Sequence, residues 1–202
     1  MQVRHLFSVA FLLFLSGVAS VLAQQPPASL QPYARCSFSD GLQIVQVDLL
    51  PPGITSRDVD TDAGTRQIDL ETGMRVMFAY PDTDFFANVK AETIPAAPYA
   101  KEKPYLLDNF QHMAHGNTVN TALQSPLNGF EVHGLDRDKL EGGVLGVYLL
   151  FDDARHTVTT IYLLNQQPEA RKFKTIEEYR TLRNQFLASY TQCIQNNMAP
   201  SK

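Results

Sequence analysis

The sequence predicts an α+β fold, a twisted antiparallel sheet of about five or six strands flanked by two main helices. Short segments with alternating apolar and polar residues, or with a run of apolar residues, are typical of strands. Two longer segments repeat apolar residues at helical spacing. The order along the chain is strands, helix, strands, helix, and short turns between several strands favour antiparallel pairing.

Seven segments are strand candidates. They are residues 42–50, 65–70, 74–81, 84–94, 130–135, 143–153 and 156–166. The turn Glu71-Thr72-Gly73 lies between the second and third segments and predicts that these two pair as a hairpin. A bulge is expected in 84–94, where Phe86 and Val89 depart from strict alternation. The turn Asp152-Asp153-Ala154-Arg155 predicts a tight hairpin between the last two segments.

Two helices complete the predicted domain. The middle helix is expected to begin near Pro104, because proline is tolerated at the first helical position, and to end at Gly116. The C-terminal helix begins with a capping box, Thr175 followed three residues later by Glu178. Its apolar stripe comprises Ile176, Tyr179, Leu182, Phe186, Leu187, Tyr190, Cys193 and Ile194.

The first residues have the pattern of an export signal. A basic start is followed by an apolar run that ends in Val21-Leu22-Ala23, before polar and proline residues. A retained membrane anchor is the alternative, but serines and a glycine dilute the run. We therefore expect a signal peptide at 1–23, a flexible lead-in at 24–34, a single α+β domain at 35–196 and a disordered tail at 197–202. The mature protein would be periplasmic or secreted, without stable membrane insertion.

The charge of the mature chain excludes some partners. Removal of the signal peptide takes away one basic residue, Arg4, which leaves 16 basic and 21 acidic residues and a net charge of −5. A mildly acidic chain has no electrostatic footprint for nucleic acid or for anionic lipid.

The chain contains two cysteines, Cys36 and Cys193. An even count in an exported protein predicts a disulfide between them, with two free thiols as the alternative. A cross-link over so long a loop stabilises the fold by about 4–5 kcal/mol in the chain-entropy model. A CxxC spacing is absent, so thiol–disulfide exchange chemistry is not expected.

Four aspartates have nearly the ligand spacing of a calcium loop. Asp58, Asp60, Asp62 and Asp69 occupy positions 1, 3, 5 and 12, but the sixth position is Ala63 instead of glycine. The preceding Pro51-Pro52-Gly53 cannot form an entering helix. A solvated acidic loop is therefore the favoured interpretation, and calcium the alternative.

Three histidines are candidate zinc ligands. His112 and His115 lie three residues apart near the end of the middle helix, and His133 is a third imidazole from a strand. The HExxH pattern is missing, and histidines in the last turn of a helix are also favoured by the helix dipole. The sequence therefore predicts no metal, with these histidines kept as candidates.

No catalytic residue and no cofactor are predicted. The chain has no GxSxG, and the stretch at 142–146, GGVLG, is neither a dinucleotide-binding nor a phosphate-loop pattern. Asp152 and Asp153 with His156 resemble a catalytic grouping, but such residues also form an ordinary polar hairpin tip, which we favour.

The second half of the chain resembles the PsbP-like superfamily. The resemblance rests on the order FEVHGL, VLGVYLLFDD, HTVTTIYLLN and KTIEEYRTLRNQFLASY, and it extends by element order over about residues 40–195. It implies an α/β/α sandwich of the kind shared by a photosystem extrinsic protein, a Ran-binding import factor and exported bacterial proteins. Such members resemble binding or assembly-accessory modules more than enzymes.

These observations predict a non-enzymatic exported module that binds an extracytoplasmic protein or a small ligand. The candidate surfaces are the sheet edges, the proline-rich connection at 95–104 and the loop at 114–129. The alternative is a metal-assisted hydrolase that uses His112, His115 and His133.

Overall fold

The computed structural model describes residues 25–114, 126–140, 143–165 and 172–198. In these residues the chain forms three helices and eight strands. In chain order they are α1 (Gln31–Ala34), β1 (Gln43–Leu49), β2 (Ser56–Thr61), β3 (Gly64–Asp69), β4 (Thr72–Ala79), β5 (Phe85–Thr93), α2 (Ala96–Ala114), β6 (Glu131–Asp136), β7 (Gly143–Asp152), β8 (Thr157–Asn165) and α3 (Ile176–Met198).

Six of the strands form one antiparallel sheet in the order β1-β4-β5-β8-β7-β6, and β2 and β3 form a separate two-stranded sheet. Each of the seven predicted strand segments overlaps one of these strands. The predicted β7–β8 hairpin is confirmed, with Asp152 opposite Thr157. The prediction of an α+β fold with an antiparallel sheet is therefore confirmed.

The predicted hairpin between 65–70 and 74–81 is wrong. β3 pairs with β2, a strand that the sequence did not predict, and β4 pairs with β1 and β5. Val59 of β2 and Ile68 of β3 are both buried, and they belong to the same apolar cluster as the apolar side of α2. Burial of these two side chains favours the β2–β3 pair over the shorter connection to β4.

The bulge expected in β5 is also wrong, because β5 keeps a continuous register with both of its neighbours. Register shifts occur instead between Ile44 and Gln46 in β1 and between Val144 and Gly146 in β7. Phe86 departs from the alternating pattern because its side of β5 is only partly buried, and an apolar side chain can lie there without a bulge in the strand.

Helix α2 begins at Ala96, well before the predicted start at Pro104, which lies inside the helix. Tertiary contacts hold the early turns in place. The Tyr99 hydroxyl donates to Asp153 Oδ1 at 2.6 Å, and Lys103 Nζ donates to Glu131 Oε2 at 2.6 Å. These contacts outweigh the local cost of a proline, which cannot donate its backbone hydrogen bond.

Helix α3 begins with the predicted capping box. The Glu178 amide donates to Thr175 Oγ1 at 3.1 Å, and the Thr175 amide donates to Glu178 Oε2 at 3.4 Å. The helix continues to Met198, so residues 197 and 198 of the predicted tail are helical. Residues 199–202 lie outside the described part of the chain.

The end of the predicted flexible lead-in belongs to the core. Leu30 and Tyr33 are fully buried, and α1 packs beside α3. Asn197 Nδ2 donates to the Pro32 carbonyl at 3.2 Å. Cys36 and Cys193 form a disulfide with their Cα atoms 5.7 Å apart, which is the pairing that the sequence predicted. The predicted signal peptide, 1–23, lies outside the described residues.

Two apolar clusters lie on opposite faces of the sheet, because neighbouring residues of a strand point to opposite sides. Tyr148 and Leu150 of β7 belong to the cluster that includes α1 and α3. Leu149 and Phe151 of β7 belong to the cluster that includes α2, β2 and β3. We call these the α3 face and the α2 face.

Candidate functional site

The exposed apolar residues of the described chain concentrate at one edge of the sheet. β1 is a terminal strand, so it pairs only with β4 and leaves backbone groups on its other side unpaired within the sheet. The exposed large hydrophobic side chains in the described ranges are Ile44 at 36%, Val45 at 55%, Val47 at 39% and Ile54 at 44%. We call Gln43–Leu49 together with Ile54 the β1 edge. Such an edge is a template for pairing with another chain.

The opposite edge of the sheet, β6, has a different character. Its burial alternates along the strand, and none of its six residues belongs to the exposed class. Glu131 accepts hydrogen bonds from Lys103 Nζ at 2.6 Å and pairs with His133 Nε2 at 2.7 Å. A terminal strand whose charged side chains already form hydrogen bonds is a poor template for pairing with another strand.

A charged pocket of about 160 Å³ adjoins the β1 edge. Asp48 and Leu49 of β1 line it, together with Arg75 of β4 and Lys90 and Glu92 of β5. The side chain of Glu92 is only 2% exposed and pairs with two cations. Arg57 Nε lies 2.9 Å from both carboxylate oxygens of Glu92, and Lys90 Nζ lies 2.6 Å from Oε1.

The charges in this pocket influence one another. Burial lowers the pKa of Lys90, and the nearby Arg57 and Arg75 guanidinium groups lower it further, whereas Glu92 acts in the opposite direction. Burial raises the pKa of Tyr162, whose ring lies on the same sheet face and senses the same three charged groups. Titratable groups with shifted pKa values in a pocket are typical of functional sites.

An apolar pocket of about 260 Å³ lies farther across the sheet. Leu135, Val144, Val147 and Tyr162 contribute to its lining, and Met113 of α2 closes one side. Asp136 and Arg137 also line the pocket, and mostly apolar walls with a few polar residues are common in ligand-binding cavities.

A buried polar network lies on the α3 face and has a structural role. Asp136 at the end of β6 is fully buried and forms an ion pair with Arg183 of α3. Its Oδ1 atom accepts hydrogen bonds from the hydroxyls of Tyr148 and Tyr179. Burial lowers the pKa of Arg183 and raises that of both tyrosines. The ion pair and these hydrogen bonds fix α3 to the sheet.

The two histidine candidates for zinc that the structure describes contact different carboxylates. His112 Nδ1 lies 2.7 Å from Asp62 Oδ1, and His133 Nε2 lies 2.7 Å from Glu131 Oε1. His115 lies outside the described residues. Within the described ranges, no group of three or more His, Cys, Asp or Glu side chains has the arrangement of a metal site.

The four aspartates of the calcium-like spacing belong to the β2–β3 hairpin. Asp58 lies opposite Gln67, Asp60 opposite Thr65, and Asp69 opposite Ser56. Asp60 Oδ1 accepts a hydrogen bond of 3.0 Å from Thr65 Oγ1. Strand pairing keeps this segment extended, and a calcium loop must instead curve around its ion.

The predicted polar hairpin tip between β7 and β8 connects three elements. Asp152 accepts a hydrogen bond of 3.1 Å from the Tyr33 hydroxyl, and Arg155 Nη1 lies 3.1 Å from its Oδ2 atom. Asp153 is held by Tyr99 and by Lys103 Nζ at 2.8 Å. The His156 ring lies 4.9 Å from that of Tyr99. These contacts fix α1 and α2 to the sheet.

Sequence reasoning missed the residues that define the β1 edge and the charged pocket. The sheet edges were predicted as surfaces, but strand order along the chain does not say which strand is terminal. Arg57 lies in a strand that was not predicted, so its ion pair with Glu92 was not indicated by the sequence. The three polar residues of β1, Gln43, Gln46 and Asp48, were a usable signal, because a strand that is covered on both faces is more uniformly apolar.

In the described ranges, no helix has both the length and the apolar character needed to cross a bilayer. No protein-family model, no curated protein and no solved structure matches this chain.

Proposed function

We propose that this protein is a non-enzymatic exported binding module that recognises an extracytoplasmic protein through the β1 edge. One observation carries the proposal: the exposed large hydrophobic side chains of the described chain lie on β1 and in the turn that follows it. An extended segment of a partner would pair with the free side of β1 as a further strand. Such strand addition supplies affinity through main-chain hydrogen bonds.

The architecture that accompanies this proposal is a PsbP-like α/β/α sandwich with α3 on one face of the sheet and α2 on the other. The two apolar clusters on opposite faces support it. Export to the periplasm or to the exterior is part of the same proposal. The disulfide is compatible with it, because such bonds persist in oxidising compartments.

No contact in the described structure favours the metal-assisted hydrolase, since His112 and His133 are paired with different carboxylates. That alternative stays a prediction from the sequence. Binding of a partner at an unpaired edge strand requires no catalytic residue.

The test is recovery of partners from the native envelope with tagged mature protein. The decisive variant is the double substitution Val45→Lys and Val47→Lys, which places charge on the β1 edge without changing the buried core. We expect it to abolish capture of any partner that the unmodified protein retains, while the thermal unfolding midpoint changes little.

The matched control places two lysines on α3, at the exposed positions Gln185 and Ser189. This control should retain the partner. Equal capture by both double variants would overturn the proposal. So would a concentration-dependent dimer that only the β1 variant dissociates, because the edge would then pair with a second copy of this chain.

A further inference from the structure

The α2 face carries two rows of side chains that do not involve the unpaired side of β1. Cross-strand pairing places Arg75, Lys90 and Thr160 side by side in one row. A neighbouring row on the same face consists of Met77, Asn88, Tyr162, Val147 and Leu135. Cations therefore lie next to a mostly apolar strip that crosses five strands.

The charges at one end of this strip are unbalanced. Three cations, Arg57, Arg75 and Lys90, surround two carboxylates, Asp48 and Glu92, which leaves one positive charge in surplus. Arg57 and Lys90 both pair with Glu92, whereas exposed Arg75 makes no ion pair within the described residues. A bound anion would relieve the repulsion among these cations.

The strip itself is open to a ligand. Its five residues are all partly exposed. The Asn88 amide and the Tyr162 hydroxyl have no hydrogen-bond partner among the described residues. The apolar pocket of about 260 Å³ lies at the other end, beside Val147 and Leu135. Four strand spacings separate Arg75 from Leu135, a distance of about 19 Å.

We propose that the α2 face binds an elongated amphipathic acid, with its carboxylate at Arg75 and Lys90 and its aliphatic chain directed along the strip towards the apolar pocket. A guanidinium group suits this head group because it binds a carboxylate through two parallel hydrogen bonds. The aliphatic chain would cover Met77, Tyr162 and Val147. This inference goes beyond the proposed function, because partner recognition at the β1 edge does not require it.

The experiment is calorimetric titration of the full chain with sodium butanoate, hexanoate and octanoate, and with octan-1-ol as the neutral probe. We expect affinity to rise about two- to fourfold with each added methylene group, as apolar surface is buried. Octan-1-ol should bind at least about tenfold more weakly than octanoate, because it cannot pair with Arg75.

The Arg75→Gln variant should lower octanoate affinity by about five- to tenfold. The matched control is Arg35→Gln, an exposed arginine at the end of α1, which should leave the affinity unchanged. In a methyl-resolved NMR titration, octanoate should shift the methyl signal of Met77, which lies in the row next to Arg75 and within reach of an eight-carbon chain. This tests the position of the chain without any variant.

Four results would overturn the proposal. They are absence of saturable octanoate binding, equal binding of octanoate and octan-1-ol, equal affinity in the two arginine variants, and an unmoved Met77 methyl signal. The double lysine variant of the β1 edge should bind octanoate normally. The experiments therefore distinguish a failure of partner binding at the β1 edge from a failure of acid binding on the α2 face.

Discussion

The hydroxyl of Tyr190 on α3 donates a hydrogen bond of 2.9 Å to the backbone carbonyl of Tyr33 on α1. Three residues farther along each segment, Cys36 and Cys193 form the disulfide, so the two links have the same sequence separation of 157. The start and the end of the domain are thus joined by one covalent bond and by a buried hydrogen bond next to it.

Replacement of both Cys36 and Cys193 by serine should lower the free energy of unfolding by about 4–5 kcal/mol, because the reduced chain gains the entropy of a long open loop. Denaturant titration of the variant and the parent measures the difference. The Tyr190 hydrogen bond remains in the variant, so the folded state should keep its secondary structure. A loss below about 1 kcal/mol would contradict this account.

Gly146 in β7 should not tolerate a side chain. A Cβ atom there would collide with the hydroxyls of Tyr148 and Tyr179 and with the Asp136 carboxylate. We expect Gly146→Ala to cost about 1–3 kcal/mol, the range for overpacking a core.

The matched control for Gly146→Ala is Gly73→Ala, another buried strand glycine, where a Cβ would meet its nearest neighbours at ordinary distances of 3.5–3.6 Å. Thermal unfolding of both variants decides the question. Equal midpoints would mean that the network around Asp136 can move aside.

The Asp136–Arg183 ion pair predicts a non-additive pair of substitutions. Arg183→Met leaves the buried carboxylate of Asp136 without its cation and should destabilise the fold by about 3–5 kcal/mol. Adding Asp136→Asn should restore much of that loss, because no buried charge remains and the amide oxygen still accepts from the tyrosines. A double-mutant cycle by denaturant titration measures the coupling. Additive losses would show that the pair contributes nothing beyond its separate residues.

Glu102 on α2 predicts a pH-dependent contribution to stability. It is 7% exposed, and burial raises its pKa above the usual range, with the Asp69 amide opposing the effect by donating to it. Between the usual and the raised pKa, the folded protein holds a proton that the unfolded chain releases. Stability from this group is therefore present at low pH and lost as pH rises through that interval.

Glu102→Gln should remove this dependence, so its stability advantage over the parent should be larger at about pH 7 than at about pH 4. Urea titrations of the variant and the parent at both pH values measure this difference in the free energy of unfolding. Glu71→Gln, which changes an exposed carboxylate in the same way, is the control. If the stability advantage of Glu102→Gln were the same at both pH values, Glu102 would not be the source of the pH dependence.

Several elements were predictable because their signals are local. The capping box of Thr175 and Glu178 fixed the start of α3, and the turn after Asp152 fixed the β7–β8 hairpin. The early turns of α2 were not predictable, because Tyr99 and Lys103 are held by residues about 50 positions away. The same holds for the site. Arg57 and Glu92 meet only after β2 and β5 have taken their places in the fold.

The disulfide between Cys36 and Cys193 also determines what a protease can do to this protein. One cleavage in any loop between these two residues would give two fragments that remain a single covalent molecule. The packed sheet would hold the fragments in register, so a nicked chain should retain its fold. In any compartment that contains proteases, this covalent link would extend the working lifetime of the protein.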